Sequence, residues 1–480
     1  MISTLAFRHL VVKKTRSLLL LLGYGLGVGV MIVLLSVGRA MVEQSRDVSL
    51  VGGGEVTVLP QGIDVEATRT GGASGMFFGI DRARFVTRQL LGGPRHAGLV
   101  RAVSPAIEKK LLYLGFRGET LAVRAGGDIP SRAGALGAGI RVVEGAWADS
   151  PEDSAWIAPT PDQLYHEMDR FHLPPVADSS WGEWHYFNVT VGPAEWWYIT
   201  YLVGGRVLRG RWGGQLLIGH RKPDGTYDRF AAAFPAVAIS LDTTRADLAL
   251  GPNRVRQRGG VYHLVVRPQG ARQPLRLDLR IEPEPNRYFP PVDLRAGEYP
   301  SGYVVPALSA RASGTICRES RCRSVRNAPA YHDHNWGVWR NVTWDWGAAR
   351  GRTFNLLYGA VRTPDDTLGA RATGEPRVFV TLVDSLGVRQ ILRAREVRYA
   401  FSGRRTPDSL SFIAARDNDS VRVVAKIGDA QASRLAAAGM GRVFLQMRGR
   451  FRLAGRLNGE EVRDEGVGFF ETYVGVRSEE

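Results

Sequence analysis

Lysine is scarce in this 480-residue chain: it supplies six of the 63 basic residues, and the rest are arginines. The formal charge of +16 therefore sits on arginines scattered between apolar segments. A nucleic-acid groove needs a localised basic stripe or a recognisable module, so no nucleic-acid partner is expected. An anionic membrane surface suits the charge equally well. Cysteine is scarcer still, with only Cys317 and Cys322, which excludes a disulfide-stapled miniprotein. Long apolar runs are confined to one place, and a hydrophobic content of 44% does not describe a polytopic membrane protein. The Gly-x-Ser-x-Gly pattern of a nucleophile elbow is absent. Thr70-Gly71-Gly72-Ala73-Ser74-Gly75 is glycine-rich but lacks the Lys-Ser/Thr ending with which a loop cradles phosphate, so it reads as a plain loop. What remains is a chain long enough for roughly two to four domains with a sizeable core.

The one apolar run comes first. Arg8, Lys13, Lys14 and Arg16 precede an uncharged segment from Ser17 to Gly38. At 1.5 Å per residue it covers about 30 Å, the thickness of a bilayer core. The basic flank predicts a cytoplasmic amino terminus and a bulk on the extracytoplasmic side. Ser36-Val37-Gly38 is a weak signal-peptide cleavage candidate, so a removed leader is the alternative. Residues 1–44 then form a cytoplasmic flank and anchor, with the span at 17–38. Residues 45–165 read as a mixed α/β region: strands at Glu55–Leu59, Leu111–Leu114 and Thr120–Arg124, and a helix at Asp81–Leu91.

Beyond His172-Leu173-Pro174-Pro175 the texture changes to short aromatic strands and turns. Glu183-Trp184-His185-Tyr186-Phe187 is nearly repeated as Glu195-Trp196-Trp197-Tyr198-Ile199. On a strand, Trp196 and Tyr198 share one face, and Trp197 and Ile199 the other, which predicts a strand buried on both sides. Alternation recurs at Gln215–Gly219, Tyr262–Arg267, Leu275–Ile281, Phe354–Tyr358, Val378–Val383, Leu410–Ala414, Val421–Lys426 and Val443–Met447, and a helix is expected at Asp429–Ala438. So many antiparallel strands are managed most simply by closure into barrels. The predicted fold is mainly β: two consecutive antiparallel barrels at 178–330 and 331–480, preceded by the helix and the mixed region.

One stretch is unusually dense in chemistry. Between His332 and Gly347 lie two histidines, two aspartates and four tryptophans. Period 2 places His332, His334 and Trp336 on one face of a strand, with Asp333 and Asn335 on the other. Polar groups in an apolar setting are costly unless paired or used, so this marks a candidate site. Hydrogen-bonded core histidines are the alternative. His332 and His334 have the spacing of two metal ligands from one strand, but a third would have to come from His185, His220 or His263; no metal is expected. Cys317 and Cys322 would close a small loop in an oxidising compartment; free thiols, or a zinc half-site completed by His332 and His334, are the alternatives.

Four motifs carry a resemblance. Glu195-Trp196-Trp197-Tyr198, Tyr331-His332-Asp333-His334-Asn335-Trp336-Gly337, Trp344-Asp345-Trp346-Gly347 and Gly468-Phe469-Phe470-Glu471-Thr472 occur in an order that resembles the CrtC/AttH lipocalin-like family, over about residues 178–478. That family includes carotenoid 1,2-hydratases. The resemblance implies two lipocalin-like barrels and a long hydrophobic ligand, an isoprenoid, carotenoid or lipid. Where the family is catalytic, it implies addition of water to an isoprenoid double bond without a cofactor. Such a reaction needs a proton donor and walls that stabilise a carbocation. The expected catalytic residues are Asp333, His334, Asp345 and Tyr358. The expected ligand-binding residues are His332, Trp336, Trp344, Trp346, Trp196, Trp197 and Tyr198, around an apolar cavity at the barrel junction with His334 and Asp333 at its polar end. This chain departs from the hydratases downstream, where Tyr358-Gly359-Ala360 stands in place of a Tyr-x-Asp pair and Asp365 and Asp366 come only later.

The amino terminus carries its own resemblance. Ala6-Phe7-Arg8-His9-Leu10, Lys14-Thr15-Arg16-Ser17, Gly23-Tyr24-Gly25-Leu26-Gly27-Val28 and Gly52-Gly53-Gly54-Glu55-Val56 look like the start of MacB/FtsX-like permeases of ABC exporters. It implies a single-pass protein of a bacterial inner membrane with periplasmic main domains. It also admits a second role, as a non-catalytic accessory subunit of a membrane complex such as a MacB-type exporter. The further spans of such permeases are not found in this sequence.

Overall fold

The computed structural model describes residues 14–45, 58, 80–116, 118–129, 131–132, 150–153, 169–172, 178–206, 209–268, 274–296, 299–339, 342–362, 378–403, 406–433 and 442–475. The chain divides into two compact units, one of Met1–Phe77 and Ala102–Asp153, the other of Phe78–Arg101 and Ser154–Glu480. The first contains α1 (Lys14–Ser45) and a hairpin of β1 (Ala106–Phe116) and β2 (Glu119–Asp128). Helix α1 includes a 21-residue stretch, Ser17–Val37, of mean hydropathy 2.6, long and apolar enough to cross a membrane. Its leucines and valines are largely exposed among the described residues; Leu21 and Leu26, for example, are more than 70% exposed. The expected strand at 55–59 lies, except for Val58, outside the described residues, as do the loop at 70–75 and Asp365 and Asp366.

The second unit opens with α2 (Ile80–Gly92), close to the expected helix. Gln89 on this helix donates to the Tyr288 hydroxyl, and Arg95 just beyond it holds both oxygens of Asp384 at 2.6 Å. A twelve-stranded sheet follows. It comprises β3 (Trp181–Gly192), β4 (Glu195–Arg206), β5 (Arg211–Arg221), β6 (Tyr227–Pro235), β7 (Ile239–Leu241), β8 (Asp247–Leu250), β9 (Asn253–Arg258), β10 (Val261–Val266), β11 (Leu275–Pro283), β12 (Phe289–Ala296), β13 (Tyr299–Arg318) and β14 (Arg321–Val338). Its order is β6-β5-β4-β3-β14-β13-β11-β10-β9-β8-β7, with β12 paired on β13. Period 2 decides what is buried: in β11, Leu275, Leu277, Leu279 and Ile281 point inward while Arg276, Asp278, Arg280 and Glu282 are exposed.

A nine-stranded sheet completes the unit: β15 (Thr343–Gly351), β16 (Asn355–Arg362), β17 (Val378–Asp384), β18 (Gly387–Ala394), β19 (Arg398–Ala400), β20 (Ser409–Arg416), β21 (Asp419–Ser433), β22 (Arg442–Leu457) and β23 (Glu460–Gly475). Strand β18 also pairs with β20, which closes every strand but β19 into a ring. Closure removes the edges that would invite pairing with other chains. Both sheets are barrel-like and antiparallel, as expected. Two boundaries differ. The stretch 331–338 lies in β14 of the first sheet, paired on both sides by β3 and β13, so the second barrel starts at β15 and not at 331. Asp429–Ser433 belongs to β21, paired with β22, where a helix was expected; ladder pairing overrides the helix preference of its alanines and glutamine. Residues 434–438 of that expected helix are outside the described set.

Three apolar clusters result. One fills the first barrel around Phe187, Trp197, Ile199, Tyr201, Leu216 and Tyr262. Another fills the second around Leu356, Tyr358, Leu382, Phe412, Phe451 and Phe470. The third joins the barrels and includes Tyr186, Trp196, Tyr198, Tyr303, Tyr331, Trp346, Phe379 and Phe469. Strand β4 serves two of them, Trp197 and Ile199 on one face and Trp196 and Tyr198 on the other, as its sequence predicts. Burying each such ring or branched chain contributes about 1.5–3 kcal/mol. At the junction Tyr198 lies over Gly219, its neighbour on β5, where an added Cβ would sit 1.9 Å from the ring.

Candidate functional site

The register of β3 against β14 sets His185 opposite His334, Glu183 opposite Trp336, and Phe187 opposite His332. All six side chains therefore share the face turned into the first barrel. There Asp169, Glu183, His185, His332 and His334 are completely buried. His332 donates Nδ1–H to the Tyr186 carbonyl oxygen at 3.0 Å, and its Nε2 lies 3.0 Å from Asp169 Oδ2. The two nitrogens of His334 face Asp169 Oδ1 at 2.7 Å and Glu183 Oε1 at 2.8 Å. His172 donates its backbone N–H to Glu183 Oε1 at 2.7 Å and stacks its ring on Trp336 at 3.6 Å. Neither ring nitrogen of His185 has a hydrogen-bond partner among the described residues; the nearest polar atom in an ion-pair geometry is Asp169 Oδ1, 3.7 Å from Nδ1.

Electrostatics follow from this packing. Burial works to raise the Asp169 pKa, but the charges of His332 and His185 and hydrogen bonds from His332 and His334 overcome it and hold the carboxyl well below its usual range. Burial works to lower His334, yet Asp169 and Glu183 push it up to about 9. His185 is held well below its usual value by burial and by the neighbouring His334.

The opposite face of β14 looks into the junction. Asp333 accepts from Tyr331 Oη at 2.8 Å and Asn335 Nδ2 at 2.6 Å, and Trp346 Nε1 donates to Tyr331 Oη at 3.1 Å. Burial, with the nearby Glu471 carboxyl, pushes Asp333 well above the usual carboxylate range against those two bonds. Glu471 comes from β23, where its register partner is Trp346. It accepts from Gln446 Nε2 and Trp344 Nε1, both at 3.1 Å. Burial nevertheless pushes Glu471 up to about 7. Aromatic rings surround the two acids: Tyr186 and Tyr331 each touch Phe469, with centroids 5.7 and 4.8 Å apart, and Trp344 meets Tyr473 edge-on at 4.9 Å.

The residues singled out from sequence are thus shared among three spaces. Asp333, Trp196, Tyr198, Trp344 and Trp346 meet at the junction or its rim. His332, His334, Trp336 and Trp197 face the first barrel, where Trp197 stacks on His220 at 3.6 Å. Asp345 accepts from Tyr399 and Thr472 and, with Tyr358, belongs to the second barrel. His334 and Asp333 therefore do not converge on one polar end as expected: adjacent residues on a strand point oppositely. Sequence reasoning passed over Asp169 altogether and gave no role to Glu183 or Glu471. Glu183 had a signal, since it sits two residues before His185 on an aromatic strand. Asp169 had none, because only the fold brings it under β14. Cys317 and Cys322 face each other across the β13–β14 hairpin and are disulfide-bonded.

No protein-family profile matches this chain, and no curated protein matches it. Solved structures do show likeness. A protein described as an AttH from Nitrosomonas europaea is 15% identical with a TM-score of 0.41, over 61% of this chain and 92% of that one. Kievitone hydratase from Nectria haematococca is 11% identical with a TM-score of 0.41, over 61% of this chain and 88% of that one. CghA, solved with Sch210972, is 12% identical with a TM-score of 0.39, over 66% and 96%. At these identities and scores the likenesses carry no inference about activity, which has to come from the residues themselves.

Proposed function

We propose that the two-barrel unit binds an elongated hydrophobic small molecule, an isoprenoid, carotenoid or lipid chain, against the aromatic junction, and that it hydrates a double bond of that ligand. The observation that carries this reading is Glu471: a buried carboxyl pushed up to about 7 by desolvation, beside Trp344 and within a cage of aromatic rings. Near neutral pH such a group retains a proton in an apolar setting, which suits it to act as a general acid. Protonation of an alkene carbon by Glu471 breaks the π bond and leaves a carbocation. The faces of Trp344, Trp346 and Tyr331 are placed to stabilise that charge. Water then forms the C–O bond and returns a proton to the carboxylate, so the net reaction adds one water and needs no cofactor. Ligand entry is at the rim, where Trp184, Trp344 and Tyr473 are only half-buried. Apolar burial there contributes roughly 25 cal/mol per Å² before ordering costs.

The same reading places α1 as an anchor in a bacterial inner membrane, with the β unit in the periplasm; the Cys317–Cys322 bond fits an oxidising compartment. The test is incubation of the full chain with acyclic carotenoids and other polyenes in ¹⁸O-labelled water. Uptake of label that is lost in Glu471→Gln, with binding retained, supports hydration. Binding without turnover reduces the role to a carrier. Absence of binding to any polyene or lipid defeats both.

A further inference from the structure

We infer that the first barrel holds a divalent transition-metal ion, with zinc the natural candidate, bound by Asp169, His185 and His334. The inference rests on the inward face of β14 and is independent of the chemistry proposed at the junction. Asp169, His185 and His334 offer one carboxylate oxygen and two imidazole nitrogens within 4.8 Å of one another, and all three side chains are buried. A tetrahedral ion with bonds of about 2.0–2.1 Å sets its ligand atoms about 3.3 Å apart. The distances from Asp169 Oδ1 to His334 Nδ1, 2.7 Å, and to His185 Nδ1, 3.7 Å, lie on either side of that spacing. Shifts of about half an ångström in each side chain would bring both to tetrahedral spacing.

His185 is the independent observation. Its ring is completely buried, lies 4.0 Å from the His334 ring, and leaves both nitrogens without a hydrogen bond among the described residues. A buried polar group in that condition is costly, so a native chain keeps one where something else engages it. The surroundings already have the form that orients metal-binding histidines. His334 presents Nε2 to Glu183 Oε1 at 2.8 Å while Nδ1 faces Asp169, which is the carboxylate–histidine–metal arrangement. His332, fixed by the Tyr186 carbonyl, holds the second oxygen of Asp169. Nitrogen-rich ligation favours zinc and its neighbours over calcium or magnesium. Such an ion would fasten Asp169 to β3 and to β14, the strand that also carries Asp333.

The experiment uses the full chain, stripped with chelator and then reconstituted with zinc or cobalt. Elemental analysis after gel filtration is expected to give about one zinc per chain. His185→Gln and His334→Gln should each lower retention at least tenfold, whereas His220→Gln, at a buried histidine outside the cluster, should retain it. Cobalt in the unaltered chain should show visible ligand-field bands of a four-coordinate nitrogen- and oxygen-bound ion, a readout that does not depend on how the variants fold. A folded, reconstituted chain without stoichiometric metal and without cobalt bands overturns the inference. Retention of metal unchanged in both cluster variants overturns the assignment to these residues.

Discussion

Replacing Glu471 with glutamine removes a junction group whose titration falls near neutrality. In the folded chain this carboxyl is pushed up to about 7 from an ordinary 4.5, chiefly by burial. Below pH 4.5 both folded and unfolded chains carry the proton, and the group has no effect on stability. Between 4.5 and about 7 the unfolded chain releases the proton and the folded chain keeps it, so stability falls as pH rises. Above 7 both states are ionised and the loss is complete. The gap corresponds to about 3 kcal/mol at roughly 1.4 kcal/mol per pH unit. Glutamine preserves shape: its carbonyl can accept from Trp344, and Gln446 can turn its amide to meet the new NH₂. Urea denaturation of both chains from pH 4 to 8.5 isolates Glu471 together with the part of the Asp333 shift that it causes, because titrations of groups that do not face Glu471 cancel in the difference. We expect the difference to change by about 3 kcal/mol across that window in favour of the variant at high pH. Trp344, which donates to Glu471, supplies a second readout, a fluorescence transition near pH 7 in the folded chain that disappears in the variant. A flat difference curve, with no fluorescence transition, would mean that Glu471 ionises normally and cannot be the acid of a hydration.

Three further outcomes are expected. Alkylation without reduction should leave Cys317 and Cys322 unmodified in mass spectra, and reduction should lower stability by about 2 kcal/mol, the modest effect of closing so short a loop. Gly359→Ala should cost about 1–3 kcal/mol, since its Cβ would lie 2.6 Å from both the Trp346 and Phe379 rings, whereas Gly428→Ala, whose nearest neighbour is 4.0 Å away, should stay within about 0.5 kcal/mol in the same denaturation assay. Protease added to spheroplasts should digest the β unit and spare the apolar stretch Ser17–Val37, and full protection of the chain would contradict the proposed topology.

Legibility in the sequence followed the range of the interaction. Period-2 alternation in β11 and the two-sided burial of β4 follow from each segment's own side chains, so they were readable residue by residue. The opposite orientation of Asp333 and His334 was readable for the same reason. It also undercut the expectation that both serve one polar end. The start of the second barrel was not readable, because β14 is claimed by the first sheet through register with β3 and β13, a pairing between segments more than a hundred residues apart for β3. Asp169 was invisible in the same way. Its partners His332 and His334 come from residues more than 160 positions further on, and no local pattern announces such a meeting. The raised pKa of Glu471 depends on burial at a junction that exists only once both barrels have formed.

On these two proposals one strand carries two chemistries back to back, and their separability can be tested. Asp333 reaches Tyr331 and Asn335 in the junction, while His334 reaches Asp169 and Glu183 in the first barrel; no hydrogen bond links the two networks among the described residues. The backbone of β14 is held between β3 and β13 from Ala330 to Gly337, the part that carries both residues, so loss of one side chain has no ready route to displace the other face. Asp333→Asn should therefore keep the zinc content of the parent chain, and His185→Gln should keep the Trp344 fluorescence transition near pH 7. His185→Gln should lose only the metal, Asp333→Asn should leave the metal in place, and the effects of the double variant on stability should add to within about 0.5 kcal/mol. If Asp333→Asn releases the metal, or His185→Gln abolishes the fluorescence transition in a folded chain, the two faces form one coupled site. The barrel interior would then belong to the mechanism of the junction, and the hydration chemistry would have to be rebuilt with the histidine cluster in it.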